Sequence, residues 1–232
     1  MAKKSKRYRE AAKLVDSKKV YRVEDAVDIL KKMPKAKCDE TVDLSFKLTV
    51  DPKQSDQMVR GTVALPHGSG KNVRVLVFAK GAAADAAKAA GADEVGFEEL
   101  IKKVMGGFQD FDVAVATPDA MQEVRKLGKV LGPRGLMPNP KTGTVTDDTA
   151  KAVKECKAGR VEFKVDKAAN VHVLCGKLSF NEQNLKENAR TVIQALVKAR
   201  PSSAKGKYIE RCVLSATFSP AVLLDVSEFM KN

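Results

Sequence analysis

The chain has 232 residues, 44% hydrophobic and 5% aromatic with no Trp, and its 42 Lys and Arg against 29 Asp and Glu give a formal net charge of +13. That length allows one large domain or two small ones with a real core, and the charge excess points to a polyanionic partner or an anionic membrane surface. No apolar run is long enough to cross a bilayer, and so few aromatic platforms argue against a stacker of single-stranded bases, which favours folded RNA or a duplex backbone as a nucleic-acid partner.

The opening MAKKSKRYRE carries Lys3, Lys4, Lys6, Arg7 and Arg9 against one acid, and no apolar signal core follows it, so secretion is not expected. Segments 5–16 and 22–33 both predict helices; in the second, Ala26, Val27, Leu30 and Met33 recur at helical spacing and Pro34 lies just beyond. In 40–50, Val42, Leu44, Phe46, Leu48 and Val50 alternate with polar residues, which predicts a strand with one buried face. DPKQSDQ (51–57) reads as a loop. The texture then changes. VRVLVFA (73–79) is a nearly continuous apolar run, followed by an alanine-rich helix stopping at Gly91. DEV leads into helix 97–105, stopped by Gly106, and 111–117 is another buried strand. TPDAMQEVRKLG predicts a helix with Thr117 as N-cap, Pro118 at its first position and Gly128 past its end. Strand and helix alternating in this way predict a parallel sheet with crossover helices.

After a loop at 128–146 the pattern reverts. Segment 147–159 is a helix, and RVEFKVD and NVHVLCG, separated by KAA, predict a hairpin. In 181–201, Leu185, Ala189, Val192, Ile193 and Leu196 form one helical stripe, and 208–218 is the last long strand. Each outer segment has too few strands to stand alone. The expected fold is therefore α/β with two domains: a split α+β domain from 1–68 and 159–232, and an inserted Rossmann-like parallel α/β domain at 69–158. The two chain crossings would form a hinge.

Several motifs invite chemistry. HGSGK (67–71) resembles a phosphate loop, but Leu65 stands where its first glycine should be and Asn72 where a Ser or Thr is needed. It also precedes a strand instead of following one. No three-glycine dinucleotide fingerprint follows strand 73–79. His67 and His172 lack partners at ligand spacing, and Cys38, Cys156, Cys175 and Cys212 are scattered, so no metal site, disulfide framework or cofactor is expected. No catalytic constellation is legible. The cations are better organised. Lys31, Lys32, Lys35 and Lys37 precede the first outer strand, although a solvated helix face reads the same way. From Arg125 to Thr146 there is no acid, while Arg125, Lys126, Lys129, Arg134 and Lys141 accumulate among glycines and prolines. Such a loop presents backbone N–H groups and charge to phosphates, or its glycines and prolines only set turns.

The segment GKVLGPRGLMPNPKTGTV resembles the signature of the large-subunit ribosomal protein family that builds the L-one stalk. SDQMVRGTVALPHGSGK, GADEVG, AKCDET, VDPKQSDQ and KAGRVEFKVDK are similar to further family segments, in order, over essentially the whole chain. The resemblance implies a primary RNA-binding domain built from both chain ends and an inserted Rossmann-like domain carrying the signature loop. It implies binding to folded large-subunit ribosomal RNA in the cytoplasm, help in moving deacylated tRNA out of the exit site, and repression of the chain's own mRNA through its leader. A monomer is expected off the ribosome, and no enzyme. The recognition surface it implies comprises Lys37, Glu40, Thr41, Lys167, His172, Ser215 and Thr217. The loop with Arg134 and Lys141 lies outside that primary surface and is expected to make a secondary contact to RNA phosphates or passing tRNA, or to dock one domain on the other. The chain departs from the family at Cys38, where Phe is usual, and at Phe218 and Ser219, where Met and Gly are usual. These three lie within the same expected surface. The alternative from another class is a nucleotide-binding Rossmann-type enzyme with a basic surface.

Overall fold

A computed structural model describes residues 4–204 and 206–230, without the side chain of Lys141. Lys3 and that side chain therefore lie outside the described residues. The first segment holds α1 (Lys6–Lys13), α2 (Val23–Lys32), β1 (Thr41–Leu48) and β2 (Arg60–Ala64). The middle holds β3 (Val75–Phe78), α3 (Ala82–Ala89), β4 (Glu94–Gly96), α4 (Glu98–Met105), β5 (Val113–Ala116), α5 (Met121–Val124), α6 (Gly128–Leu131) and α7 (Thr149–Lys157). The last holds β6 (Arg160–Lys164), β7 (Asn170–Lys177), α8 (Glu182–Lys198), β8 (Ile209–Ala216), β9 (Val222–Leu224) and α9 (Ser227–Met230). By contact the chain divides into an outer unit, 1–70 with 161–232, and an inner unit, 71–160.

The outer unit is built on a four-stranded sheet in the order β7-β1-β8-β9. β1 comes from the first segment and pairs antiparallel with β7 and β8 from the last, so neither segment makes this sheet alone. The alternation of β1 places Val42, Leu44, Phe46 and Leu48 in the core, each 2% exposed or less. Full burial of such a side chain is worth about 1.5–3 kcal/mol. The α8 stripe Leu185, Ala189, Val192, Ile193 and Leu196 joins them, with Val27 and Leu30 of α2. The opposite face of the sheet carries the polar residues of the same strands and faces solvent.

The inner unit is a three-stranded parallel sheet, β4-β3-β5, covered on both faces. Leu76 and Phe78 pack with α4 and with Val124, Leu127 and Leu131. Val75 and Val77 pack with Ala87 of α3 and with Ala152, Val153 and Cys156 of α7. Two covered faces explain why β3 reads as an unbroken apolar run.

Three expectations need correction. Strands β6 and β7 are not a hairpin: β6 pairs with β2, a strand the sequence reading missed, and β7 pairs with β1. Between them, Asp166 N–H donates to the Asn170 carbonyl at 2.8 Å and Asn170 N–H donates back to the Asp166 carboxylate at 2.7 Å, after which the strands diverge. The loop at 51–57 contains a short 3-10 turn at Ser55–Gln57. Gly128 does not stop its helix, because Leu127 and Leu131 continue the buried stripe and hold Gly128 in helical geometry at φ −55°. The last long strand is β8, as expected, and the three-residue β9 follows and pairs with it.

Candidate nucleic-acid interface

The outward positions of β1 are Thr41, Asp43, Ser45 and Lys47. At roughly 3.4 Å per residue they span about 20 Å of the sheet's solvent face. β7 lays His172 against Ser45, with the Ser45 hydroxyl 2.9 Å from His172 Nδ1. β8 lays Ser215 against Asp43. At one end Thr217 locks onto Thr41: its N–H donates to the Thr41 carbonyl at 3.0 Å, and its Oγ1 accepts from the Thr41 N–H at 3.0 Å. Lys177 donates to Thr41 Oγ1 at 2.9 Å. By simple alternation Lys177 would face inward. A bulge, where Val42 opposes Gly176 but Asp43 opposes Leu174, reverses the phase and brings it outward. Gly176 permits this: its φ is +147°, and Phe180 stands 3.0 Å from where a Cβ would be.

Glu40 differs from its neighbours. It is 4% exposed. Its carboxylate accepts from the N–H groups of Ala36 at 2.9 Å and Phe218 at 3.0 Å, and Arg7 lies 4.0 Å away. It therefore ties α1, the 36–40 loop and the 216–219 turn together, and its oxygens are not offered to a ligand. Phe218 is half exposed, with the Arg7 guanidinium 5.1 Å from its ring centroid. Ser219 closes the turn, its Oγ accepting from Ala216 N–H at 2.8 Å. Its backbone is outside the left-handed region, so the turn itself does not demand glycine there. Lys37 and Cys38 are exposed on the adjoining loop, and Cys156, Cys175 and Cys212 are buried. Lys31, grouped in the sequence with Lys32, Lys35 and Lys37 ahead of the first outer strand, is committed to the carbonyls of Leu178 and Phe180.

Lys167 sits at the far end, in the turn before β7, where Lys47 donates to the Ala168 carbonyl at 2.5 Å. Asp43 is half-buried within this face. Burial pushes its carboxyl above the usual range, and His172 and Lys177 nearby pull it back.

In the inner unit, Arg134 is exposed in a loop that is itself well ordered by hydrogen bonds. Asn139 N–H donates to Thr144 Oγ1 at 2.8 Å, Thr142 Oγ1 donates to the Asn139 carbonyl at 3.0 Å, and Leu136 and Met137 pack on the core. HGSGK is held by α8. Asn188, fully buried on α8, accepts from His67 N–H at 3.2 Å and donates to the Gly68 carbonyl at 3.1 Å. Among the described residues no group of three or more His, Cys, Asp or Glu could hold a metal ion, and no helix is long and apolar enough to cross a membrane.

A family model described as the ribosomal protein L1p/L10e family matches residues 30–220. Proteins named large ribosomal subunit protein uL1 are similar along nearly the whole chain. The one from Lactobacillus delbrueckii subsp. bulgaricus is 56% identical over 225 residues, 97% of each chain. Those from Clavibacter michiganensis subsp. michiganensis and Kosmotoga olearia are 55% identical over 224 residues (97% of this chain, 98% of that protein) and 54% identical over 225 (97% of each).

The chain belongs to the ribosomal protein L1p/L10e family.

For this member of the L1p/L10e family, the structure brings Thr41, His172, Ser215 and Thr217 onto one face, with Lys37, Cys38, Phe218 and Ser219 at one end and Lys167 at the other. It places Arg134 in the other unit. The sequence reading missed Asp43, Ser45, Lys47 and Arg211 on the same face. The outward phase of β1 and β8 could have identified all four. Lys177 carried no such signal, because the bulge hides it from any count by twos.

Proposed function

We propose that the chain is a structural, non-enzymatic constituent of the large ribosomal subunit in the cytoplasm, binding a folded element of large-subunit ribosomal RNA through the solvent face of β7-β1-β8. The observation that carries this reading is the convergence of Thr41, Ser45, His172, Ser215 and Thr217 on one polar face. Hydroxyls and an imidazole so arrayed can exchange hydrogen bonds with ribose 2′-OH and phosphate oxygens. Lys37, Lys47, Lys167, Lys177 and Arg211 ring the face and neutralise phosphates. Glu40 acts by positioning its loop and turn. Phe218 offers an exposed ring to a base, and Cys38 and Ser219 shape the rim.

In this reading the loop with Arg134 and Lys141 makes a secondary contact to RNA or to passing tRNA, and so assists release of deacylated tRNA from the exit site. The same face would bind the leader of the chain's own mRNA. One surface serving two RNAs makes them mutually exclusive, which is the basis for repression. The test is a hydroxyl-radical footprint on large-subunit ribosomal RNA. One compact protected element, competed away by the mRNA leader, is expected. Absent or uniformly spread protection would defeat the reading.

A further inference from the structure

The turn carrying Lys167 also borders a groove that the sheet face does not account for. Pro52 and Met58 line one side, Lys164, Val165, Asp166 and Lys167 the other, enclosing about 470 Å³. The backbone explains its apolar character. Val165 N–H donates to the Val59 carbonyl at 2.9 Å, and Val59 is buried. Its neighbour Met58 turns outward and is 50% exposed. Lys164 and Lys167 are exposed, and neither makes an ion pair or side-chain hydrogen bond among the described residues. The nearby acids are occupied. Glu162 pairs with Arg60 at 2.6 Å. The Asp166 carboxylate accepts from the N–H groups of Ala168 and Asn170 at 2.8 and 2.7 Å and from the Asn170 amide at 3.2 Å. The groove runs on into the sheet face, since Lys47 at the end of that face holds the Ala168 carbonyl of the same turn.

A single exposed Met is ordinary on a protein surface. An exposed Met and a Pro facing Lys164 and Lys167 across one groove, continuous with a polar face ringed by cations, form a more specific arrangement. A thioether is polarisable and adapts to a flat apolar partner, and RNA offers such partners as bases splayed out of the helix. We infer that the groove takes one unpaired nucleotide of the same ribosomal RNA, with its base on Met58 and Pro52 and its flanking phosphates on Lys164 and Lys167. This rests on the RNA-binding reading of the sheet face.

The test uses the full chain and the ribosomal RNA fragment protected in the footprint, with affinity measured across a salt series. Met58→Ala should weaken binding by about threefold to tenfold, through lost apolar contact, and leave the salt slope unchanged because no counterion is involved. Lys164→Ala should reduce the log–log slope by about 0.7 to 0.9, as for one lost phosphate contact. Both side chains are exposed, and thermal melts of each variant will confirm that folding is intact. A photo-cross-linker at position 58 should join a single unpaired nucleotide. Unchanged affinity for Met58→Ala overturns the inference whatever Lys164→Ala does. Cross-linking to a protein instead of RNA in whole large subunits overturns it too. If the parent chain itself does not bind the fragment, the sheet-face reading falls with it, and that result is distinct from a groove variant behaving like the parent.

Discussion

Asp43 is a carboxylate kept half-buried in the middle of a cationic face. Burial raises its folded-state pKa, so the fold prefers the protonated form. Its ionisation therefore costs stability as pH rises through the folded value, and costs nothing below the unfolded value of about 3.9. Asp43→Asn should raise Tm at pH 7 and make little difference at pH 3, which melts at the two pH values will check. An equal gain at both would show that charge is not the cause. At the end of the same face, the Thr217 hydroxyl orders Thr41 by accepting from its N–H at 3.0 Å, and the residue is exposed. Thr217→Val should weaken RNA binding by about 1–3 kcal/mol, the usual cost of stranding a buried polar partner. Arg134→Ala, an exposed charge, should cost about 1 kcal/mol or less and be screened by salt. Dissociation constants for both variants on one RNA fragment decide the order. A larger loss for Arg134→Ala would make the signature loop the primary site.

Between elements, a few buried polar groups set the geometry of the face. Asn188 on α8 holds the His67 and Gly68 turn and also donates to the Cys175 carbonyl at 2.7 Å, beside the β7 bulge. Asn188→Leu would leave three backbone groups without that partner and should destabilise the chain by about 3 kcal/mol. The readout is a lower urea midpoint with an unchanged slope. Elements with a strict period were legible from sequence: β1 by alternation, α8 by its stripe, β3 by its apolar run. What was not legible depended on distant partners. β2 is short and only one of its five residues is buried, so it shows no alternation, and β6 takes its partner from β2 across a hundred residues of chain. The proximity of β6 to β7 in sequence suggested a hairpin that the sheets do not make. For the candidate face, hydroxyl and histidine positions could be read from strand phase, whereas Lys177 depended on a bulge and the burial of Glu40 on a loop folding back over it.

On the scale of the whole molecule, each unit has a core of its own. The outer core draws its buried residues from Ala11–Leu65 and from Phe163–Val226, and the inner cores draw theirs from Val75–Cys156. Each unit can therefore be asked separately for the RNA. The measurement is the dissociation constant for the protected ribosomal RNA fragment, at physiological salt, of a chain joining 1–70 to 161–232 through a short linker, beside the isolated 71–160 and the full chain. The account predicts that the joined outer unit folds and stays within about tenfold of the full chain, a difference of roughly 1.4 kcal/mol, while 71–160 folds and binds weakly. If 71–160 carries the affinity and the outer unit does not, the sheet face is not the RNA site.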